Sequence, residues 1–217
     1  MSGFFRSRRD RSRGQSLVEF SVLVPAFLLL LFGMLEFGFV FTHNLTLEYA
    51  TREGARTGAA LADGGGNLAV CGDGSALNGG IDAQIIAAVE RVLTSPGSPI
   101  DEPSVTSIKI WQSTTSGSPN PGTPTDAAHT ATWNYGTAGA PSVDGYQLHY
   151  HQTTGFAAGV WRPCDRNNGA NPDSIGVSLT YNYSMVTPLS AVARFFGGGA
   201  STGIIPMNDR TIMALNP

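Results

Sequence analysis

The longest apolar run of the chain lies near its start, between Leu17 and Phe41, and only two glutamates and one serine interrupt it. About 20 apolar residues suffice for a helix to span the hydrocarbon core of a membrane. The pattern therefore predicts a transmembrane helix over residues 15–41. Pro25 should kink this helix, a defect that membrane helices tolerate when neighbours or water satisfy the freed carbonyl. A secretory signal is the alternative, but the run exceeds the usual apolar region and no small-x-small cleavage site follows.

A second helical pattern continues directly from Thr42 to Leu61. Small residues recur in it every four positions, which predicts a ridge that allows close backbone approach to another element. Each glycine weakens an isolated helix by roughly 1 kcal/mol relative to alanine, so packing must compensate. The simplest geometry is one long helix, half in the membrane and half outside. The small residues are Ala50, Gly54, Gly58 and Ala62.

The remainder of the chain predicts a folded domain over residues 42–217. A helix with one apolar face is predicted over 81–94, and beyond it the apolar period changes to two. Two helices followed by about four strands indicate an α+β fold with an antiparallel sheet. Strand patterns occur near 105–111, 131–135, 145–151, 175–186 and 204–215.

Charge is distributed unevenly along the chain. Residues 1–14 hold five of the thirteen basic residues, and without this segment eight basic residues face fifteen acidic ones, a net charge of −7. The body of the protein therefore lacks the basic patch typical of nucleic-acid binding. An arginine-rich leader instead retains the N-terminus on the cytoplasmic side of a membrane, with the domain outside the cytoplasm.

Both cysteines, Cys71 and Cys164, lie beyond the apolar run. If this part of the chain is exported, a disulfide between them is the expected state. Two free buried thiols are the alternative, because sequence does not show whether the two residues are close.

Glu19 stands near the start of the apolar run, where an unpaired charge costs about 2.5–3.5 kcal/mol. A cut after Gly14 would place a new α-ammonium at Gln15, four residues before Glu19 and on the same helix face. The carboxylate could then pair with this ammonium in its own chain or in a neighbour. The alternative is that Glu19 reaches the headgroups or is protonated, without a partner.

Motifs for catalysis or metal binding are weak. Residues 199–203 fit the pattern G-x-S-x-G, but a glycine run precedes them instead of the strand that a nucleophile elbow needs. His149 and His151, with His129 or Asp144, offer a weak metal signal, and exposed strand residues are the favoured interpretation. We therefore predict no enzymatic activity, no metal and no cofactor.

The N-terminal segment closely resembles the TadE-like proteins of tight-adherence (Flp) pilus systems. The resemblance is most specific in three stretches, and two shorter stretches near the C-terminus add to it. These are Gln15–Glu19, Glu36–Gly38 and Ala50–Arg56, followed by Tyr181–Tyr183 and Thr187–Leu189.

Proteins of this family are minor pilins or pseudopilins, and some are trimmed after a glycine by a prepilin peptidase. The resemblance implies that Gly14 ends the leader, that Gln15 begins the mature chain and that Glu19 is the fifth-position glutamate. Processed members often have a tyrosine beside this glutamate, where this chain has Phe20.

The implied role is to initiate, prime or cap pilus assembly in the cytoplasmic membrane. We assign Glu19, Pro25 and Glu36 to helix packing and register, with Glu36 near the outer interface. The implied partners are other pilins, the peptidase and the assembly platform. Two alternatives remain: a main filament subunit, or an uncleaved membrane-anchored module that binds a ligand through residues 112–175.

Overall fold

The computed structural model describes most of the chain, with side chains from Gly14 onward and without those of residues 193, 195 and 196. The described ranges are 9–61, 80–113, 128–155, 161–163, 166–167, 169, 172–196 and 203–215. Three helices and seven strands occur in these ranges, with a short 3₁₀ turn at Glu102–Ser104. In chain order they are α1 (Arg9–Leu61), α2 (Gly80–Leu93), β1 (Val105–Ser113), β2 (Thr130–Tyr135), β3 (Ser142–Val143), β4 (Tyr146–Gln147), β5 (Tyr150–Thr154), β6 (Ser174–Ser184), α3 (Leu189–Phe196) and β7 (Ile204–Ala214).

The predicted α+β class is confirmed: a long N-terminal helix and a second helix accompany an antiparallel sheet. The 53 residues of α1 join both predicted helical patterns, and the helix begins at Arg9, inside the segment predicted as a leader. Arginine is a good helix former, so the leader's lack of apolar periodicity does not prevent helix formation there. The second helix is found at Gly80–Leu93, within one residue of its prediction, with Asp82 in its first turn.

The main sheet has five strands in the order β5-β2-β1-β6-β7, one more than the number predicted. β1 pairs antiparallel with β2 on one side, where Ile108 lies opposite Trp133. On its other side β1 pairs antiparallel with β6, where Trp111 lies opposite Gly176. The central strands thus come from distant parts of the chain, which explains why local patterns gave the strands but not their order.

The strand predicted over residues 145–151 is in fact divided between two sheets. Tyr146–Gln147 pairs with Ser142–Val143 in a small hairpin, whereas the next strand joins the main sheet. The hairpin turns at Asp144 and Gly145, which have φ angles of 52° and 80°. Two consecutive positive φ angles are the signature of a type I′ turn, for which Asp-Gly is a preferred pair.

Two compact units divide the chain. One contains the chain up to Val40 together with Ser184–Ile204, and the other contains Phe41–Tyr183 together with the C-terminal residues from Ile205. The sequence-based division at residue 41 did not anticipate that Ser184–Ile204 clusters with the N-terminal part.

The core of the second unit is apolar and aromatic. It is closed at one edge by an ion pair in which buried Arg166 donates to Asp82 at 2.5 Å. Removal of either member of such a pair leaves an uncompensated buried charge, so both are needed for the packing of α2. The fully buried side chains include Leu47, Ile81, Ile85, Ile86, Ile108, Ile110, Trp111, Trp133, Leu148 and Tyr150.

Candidate assembly segment

The first half of α1 exposes nearly all of its large apolar side chains. In the part of the chain that the structure describes, one helix, Gly14–Leu61, is long and apolar enough to cross a membrane by length and composition, and its apolar stretch is exposed. Exposed apolar surface of this extent marks a membrane or a protein interface. The exposed residues include Leu17, Val18, Phe20, Val22, Leu23, Phe27, Leu30, Met34, Leu35, Phe37 and Phe41.

The expected cleavage site and Glu19 lie on consecutive turns at the start of this surface. The Gly14–Gln15 bond is inside α1, and a Cβ at Gly14 would meet no other atom within 4 Å. The side-chain amide of Gln15 donates a 3.1 Å hydrogen bond to Glu19 Oε1. In this uncleaved chain, the spacing of four residues therefore brings a donor of Gln15 to the carboxylate.

Glu36 has a partner within its own unit. Its carboxylate is buried, with 5% of the residue exposed. The two oxygens accept hydrogen bonds from the backbone N–H groups of Val186, at 3.2 Å, and Thr187, at 3.0 Å. These donors immediately precede α3, so Glu36 supplies a negative charge at the positive end of that helix. The prediction that Glu36 lies near the outer interface did not include this contact.

The local sequence of α3 contains a start signal that explains its position. The hydroxyl of Thr187 accepts a hydrogen bond from the backbone N–H of Leu189, and Pro188 follows the threonine directly. Threonine before a helix and proline in the first turn are preferred there, because the first N–H groups have no partner inside the helix. This Thr-Pro signal was available in the sequence, although the helix was not predicted.

An apolar groove of about 290 Å³ lies between the apolar half of α1 and the start of α3, within the first unit. Pro25 contributes to it from inside α1. Only apolar side chains line the groove: Pro25, Leu28, Leu29, Phe32, Pro188, Leu189 and Val192.

In the second unit, the small residues of α1 lie against α2 and β6. Ala50 is fully buried. A Cβ at Gly54 would lie 2.5 Å from Val89 Cγ2, and one at Gly58 would lie 2.6 Å from Ile175 Cδ1. At both positions a Cβ would require the facing side chain to shift, so the absence of a side chain allows this close approach of the backbone.

Three predicted positions are outside the described residues. They are Ala62, the last member of the small-residue series, and the two cysteines, Cys71 and Cys164. The disulfide therefore stays a prediction.

The N-terminal part of the chain is similar to a known family. Residues 14–56 match the family model of TadE-like proteins. No curated protein and no solved structure is significantly similar to the chain. The match confirms the resemblance inferred for the N-terminal segment, and it covers the apolar half of α1, Glu19, Glu36 and the second half as far as Arg56, including Gly54. The two stretches near the C-terminus lie outside it.

The matched segment ends at residue 56, before the sheet begins, so the match says nothing of the contacts within residues 80–215. Sequence reasoning missed one cluster there: His149 was interpreted as an exposed strand residue, but it precedes β5 and its ring lies beside Glu90 and Glu102. His151, by contrast, bonds the carbonyl oxygen of Gly136 at 3.0 Å. The two histidines therefore have different surroundings despite their spacing.

Proposed function

We propose that this chain is a minor pilin or pseudopilin that takes part in the assembly of a tight-adherence type IV-like pilus. The observation that carries the proposal is the TadE-like match over residues 14–56, on a helix whose apolar side chains are exposed. Proteins of this kind are generally non-enzymatic, and the proposed role is structural: to initiate, prime or cap the filament.

The arginine-rich leader supports an orientation with the N-terminus in the cytoplasm and the α+β domain outside. In this arrangement the helix is a single-pass anchor in the cytoplasmic membrane. A prepilin peptidase cuts after Gly14, and the partners are other pilins and the assembly platform. Nucleic acid is not a partner, because the net charge is −7 once residues 1–14, with five of the thirteen basic residues, are removed from a chain of net charge −3.

Glu19 sets the stagger between neighbouring helices in this proposal. The Gln15 side chain already reaches its carboxylate at 3.1 Å in the uncleaved chain. Cleavage adds an ammonium on the same residue, and in a low-dielectric surrounding this charge offsets the cost of the buried carboxylate in an adjacent subunit. The exposed apolar residues between Leu17 and Phe41 then pack against other helices instead of lipid.

The decisive measurement is the N-terminal sequence and intact mass of the protein purified from its native membranes. A mature chain that starts at Gln15 supports processing as a prepilin. Retention of Met1 contradicts it and favours a fixed, membrane-anchored binding module.

Variants test the role in assembly. Gly14→Ala and Glu19→Ala should abolish pili while the ectodomain stays folded. Glu48→Ala is the matched control, because Glu48 is a carboxylate on the same helix whose ion pair with Arg52 is local and exposed. Piliation of the Gly14→Ala strain would refute the proposal. A pilus preparation in which this chain is the most abundant protein would instead identify a main filament subunit.

A further inference from the structure

Three segments of the second unit bring together two carboxylates and an imidazole. Glu90 lies on α2, Glu102 is in the 3₁₀ turn before β1, and His149 precedes β5. The exposed fractions of their side chains are 0%, 17% and 36%. The cluster is thus closed on the Glu90 side and open to solvent on the other.

The distances in this cluster match those between the ligands of a metal ion. His149 Nδ1 lies 3.0 Å from Glu90 Oε1 and 3.2 Å from Glu102 Oε2. One potential ligand atom from each of the three side chains falls within 4.8 Å of the others. Ligand atoms that surround a single zinc ion at about 2.0–2.2 Å are themselves roughly 3.0–3.5 Å apart. The distances from His149 to the two carboxylates therefore fall within the range found around a single ion.

Surrounding groups hold the buried carboxylate in place. The Tyr146 hydroxyl donates to Glu90 Oε1 at 2.9 Å, and the backbone N–H of His149 donates to Oε2 at 3.1 Å. Hydrogen bonds of this kind orient ligands at metal sites and tune their affinity. Oε1 is also the oxygen that lies 3.0 Å from His149 Nδ1, and it accepts a further 3.2 Å bond from the His149 backbone N–H, so the proposed ligand atom is held in place by two donors.

Charge favours a cation at the same place. Two carboxylates share the site with one imidazole, and the Glu90 side chain is fully buried. A divalent ion balances the charge of both carboxylates, and an imidazole nitrogen is a common ligand of such an ion.

We propose that Glu90, Glu102 and His149 form a binding site for a divalent transition-metal ion of the Zn²⁺ type. Oxygen and imidazole nitrogen ligands suit this ion, and the open side leaves room for water as a further ligand. The site connects α2, the turn before β1 and the residue directly before β5, so the bound ion acts as a clamp in the α+β domain. This role is separate from the membrane helix and does not depend on pilus assembly.

The test uses the untagged full-length protein in detergent, stripped of metal with a chelator and then dialysed against ZnCl₂. The expected result is one zinc per chain and a higher unfolding temperature with zinc than without. Glu102→Gln and His149→Asn should each weaken zinc binding by at least about tenfold. Removal of a group that only hydrogen-bonds to a metal ligand typically weakens metal binding by that factor, and these variants remove ligands themselves. His151→Asn is the matched control, because its ring bonds a backbone carbonyl.

Two results would overturn the site. One is the absence of saturable zinc binding, which would identify the cluster as a proton-sharing ion pair. The other is equal binding by the wild type and both ligand variants. X-ray absorption at the zinc edge of the wild type provides a readout that does not depend on how the variants fold. It should show nitrogen and oxygen ligands only, and sulfur ligation would assign the zinc to the cysteines and refute the proposal.

Discussion

The carboxylate of Glu36 accepts a 3.0 Å hydrogen bond from the backbone N–H of Thr187, a residue 151 positions later in the chain. A second bond comes from the N–H of Val186. Together they attach the segment before α3 to the apolar helix α1. Thr187 directly precedes the residues of α3 that line the groove beside Pro25, so Glu36 fixes the start of this segment within its unit.

Glu36→Ala should loosen this attachment. Hydrogen bonds to a charged acceptor contribute about 1.5–3 kcal/mol each. Amide exchange at Val186 and Thr187 should therefore accelerate at least about tenfold, since 1.4 kcal/mol corresponds to a factor of ten. Hydrogen exchange of the protein in detergent measures this, with Glu48→Ala as the control. Unchanged protection of both amides would show that α3 is held by the apolar groove alone.

Gly54→Ala should destabilise the second unit although alanine is the better helix former. The new methyl group would lie 2.5 Å from Val89 Cγ2 and 3.3 Å from Val177 Cγ1. Overpacking of this kind costs about 1–3 kcal/mol, more than the roughly 1 kcal/mol that alanine contributes to the helix. Urea unfolding followed by circular dichroism measures the difference.

Gly38→Ala is the matched control for Gly54→Ala, because no atom lies within 4 Å of a Cβ at that position. It should leave the unfolding of the second unit unchanged. A Gly54→Ala protein as stable as the control would mean that α1 and α2 can separate at little cost.

The indole ring of Trp111 occupies the space that a side chain at Gly176 would need. They are opposite each other on β6 and β1, and a Cβ at Gly176 would lie 2.2 Å from the indole ring. Gly176→Ala should destabilise the domain by about 1–3 kcal/mol or more. Adding Trp111→Leu should recover part of that loss, because the smaller side chain vacates the space. Losses that simply add in the double variant would contradict this coupling.

Tyr150→Phe should leave stability unchanged or raise it by up to about 1 kcal/mol. Among the described residues, no group hydrogen-bonds the buried Tyr150 hydroxyl, so its removal relieves a desolvation cost. Tyr146→Phe is the matched variant, since it loses the bond to Glu90 and should be destabilising. Urea unfolding of both variants distinguishes them. Equal destabilisation would indicate that the Tyr150 hydroxyl has a partner.

Alkaline pH provides an independent check on the same hydroxyl. Burial raises the pKa of Tyr150 above its usual value of 10. The folded chain then keeps a proton that the unfolded chain releases, so stability should be intact below pH 10 and fall as the pH rises further. Tyr150→Phe should show a smaller loss between pH 10 and 11.5 in urea titrations. Tyr49→Phe, at a residue 65% exposed, should follow the wild type.

Local sequence patterns were sufficient for most of the elements. The apolar run from Leu17 to Phe41 and the one-sided helix over residues 80–93 show periods that side-chain geometry dictates within a few turns. The same holds for β6, in which buried and partly buried residues alternate along the second half of the strand. The expected cleavage site was also predicted from neighbouring residues, because Gly14, Gln15 and Glu19 lie close together in the sequence.

The strand order, the surroundings of Glu36 and the cluster of Glu90, Glu102 and His149 were decided only by the tertiary structure. Each joins segments separated by tens to more than a hundred residues, and no local period connects them. The sequence does not show whether a carboxylate is solvated or buried against backbone N–H groups. This depends on which partners the fold brings within about 3 Å of it. The sequence by itself therefore determined most of the elements and the TadE-like resemblance of the N-terminal helix, because both depend on local patterns. The contacts between distant segments required the folded chain.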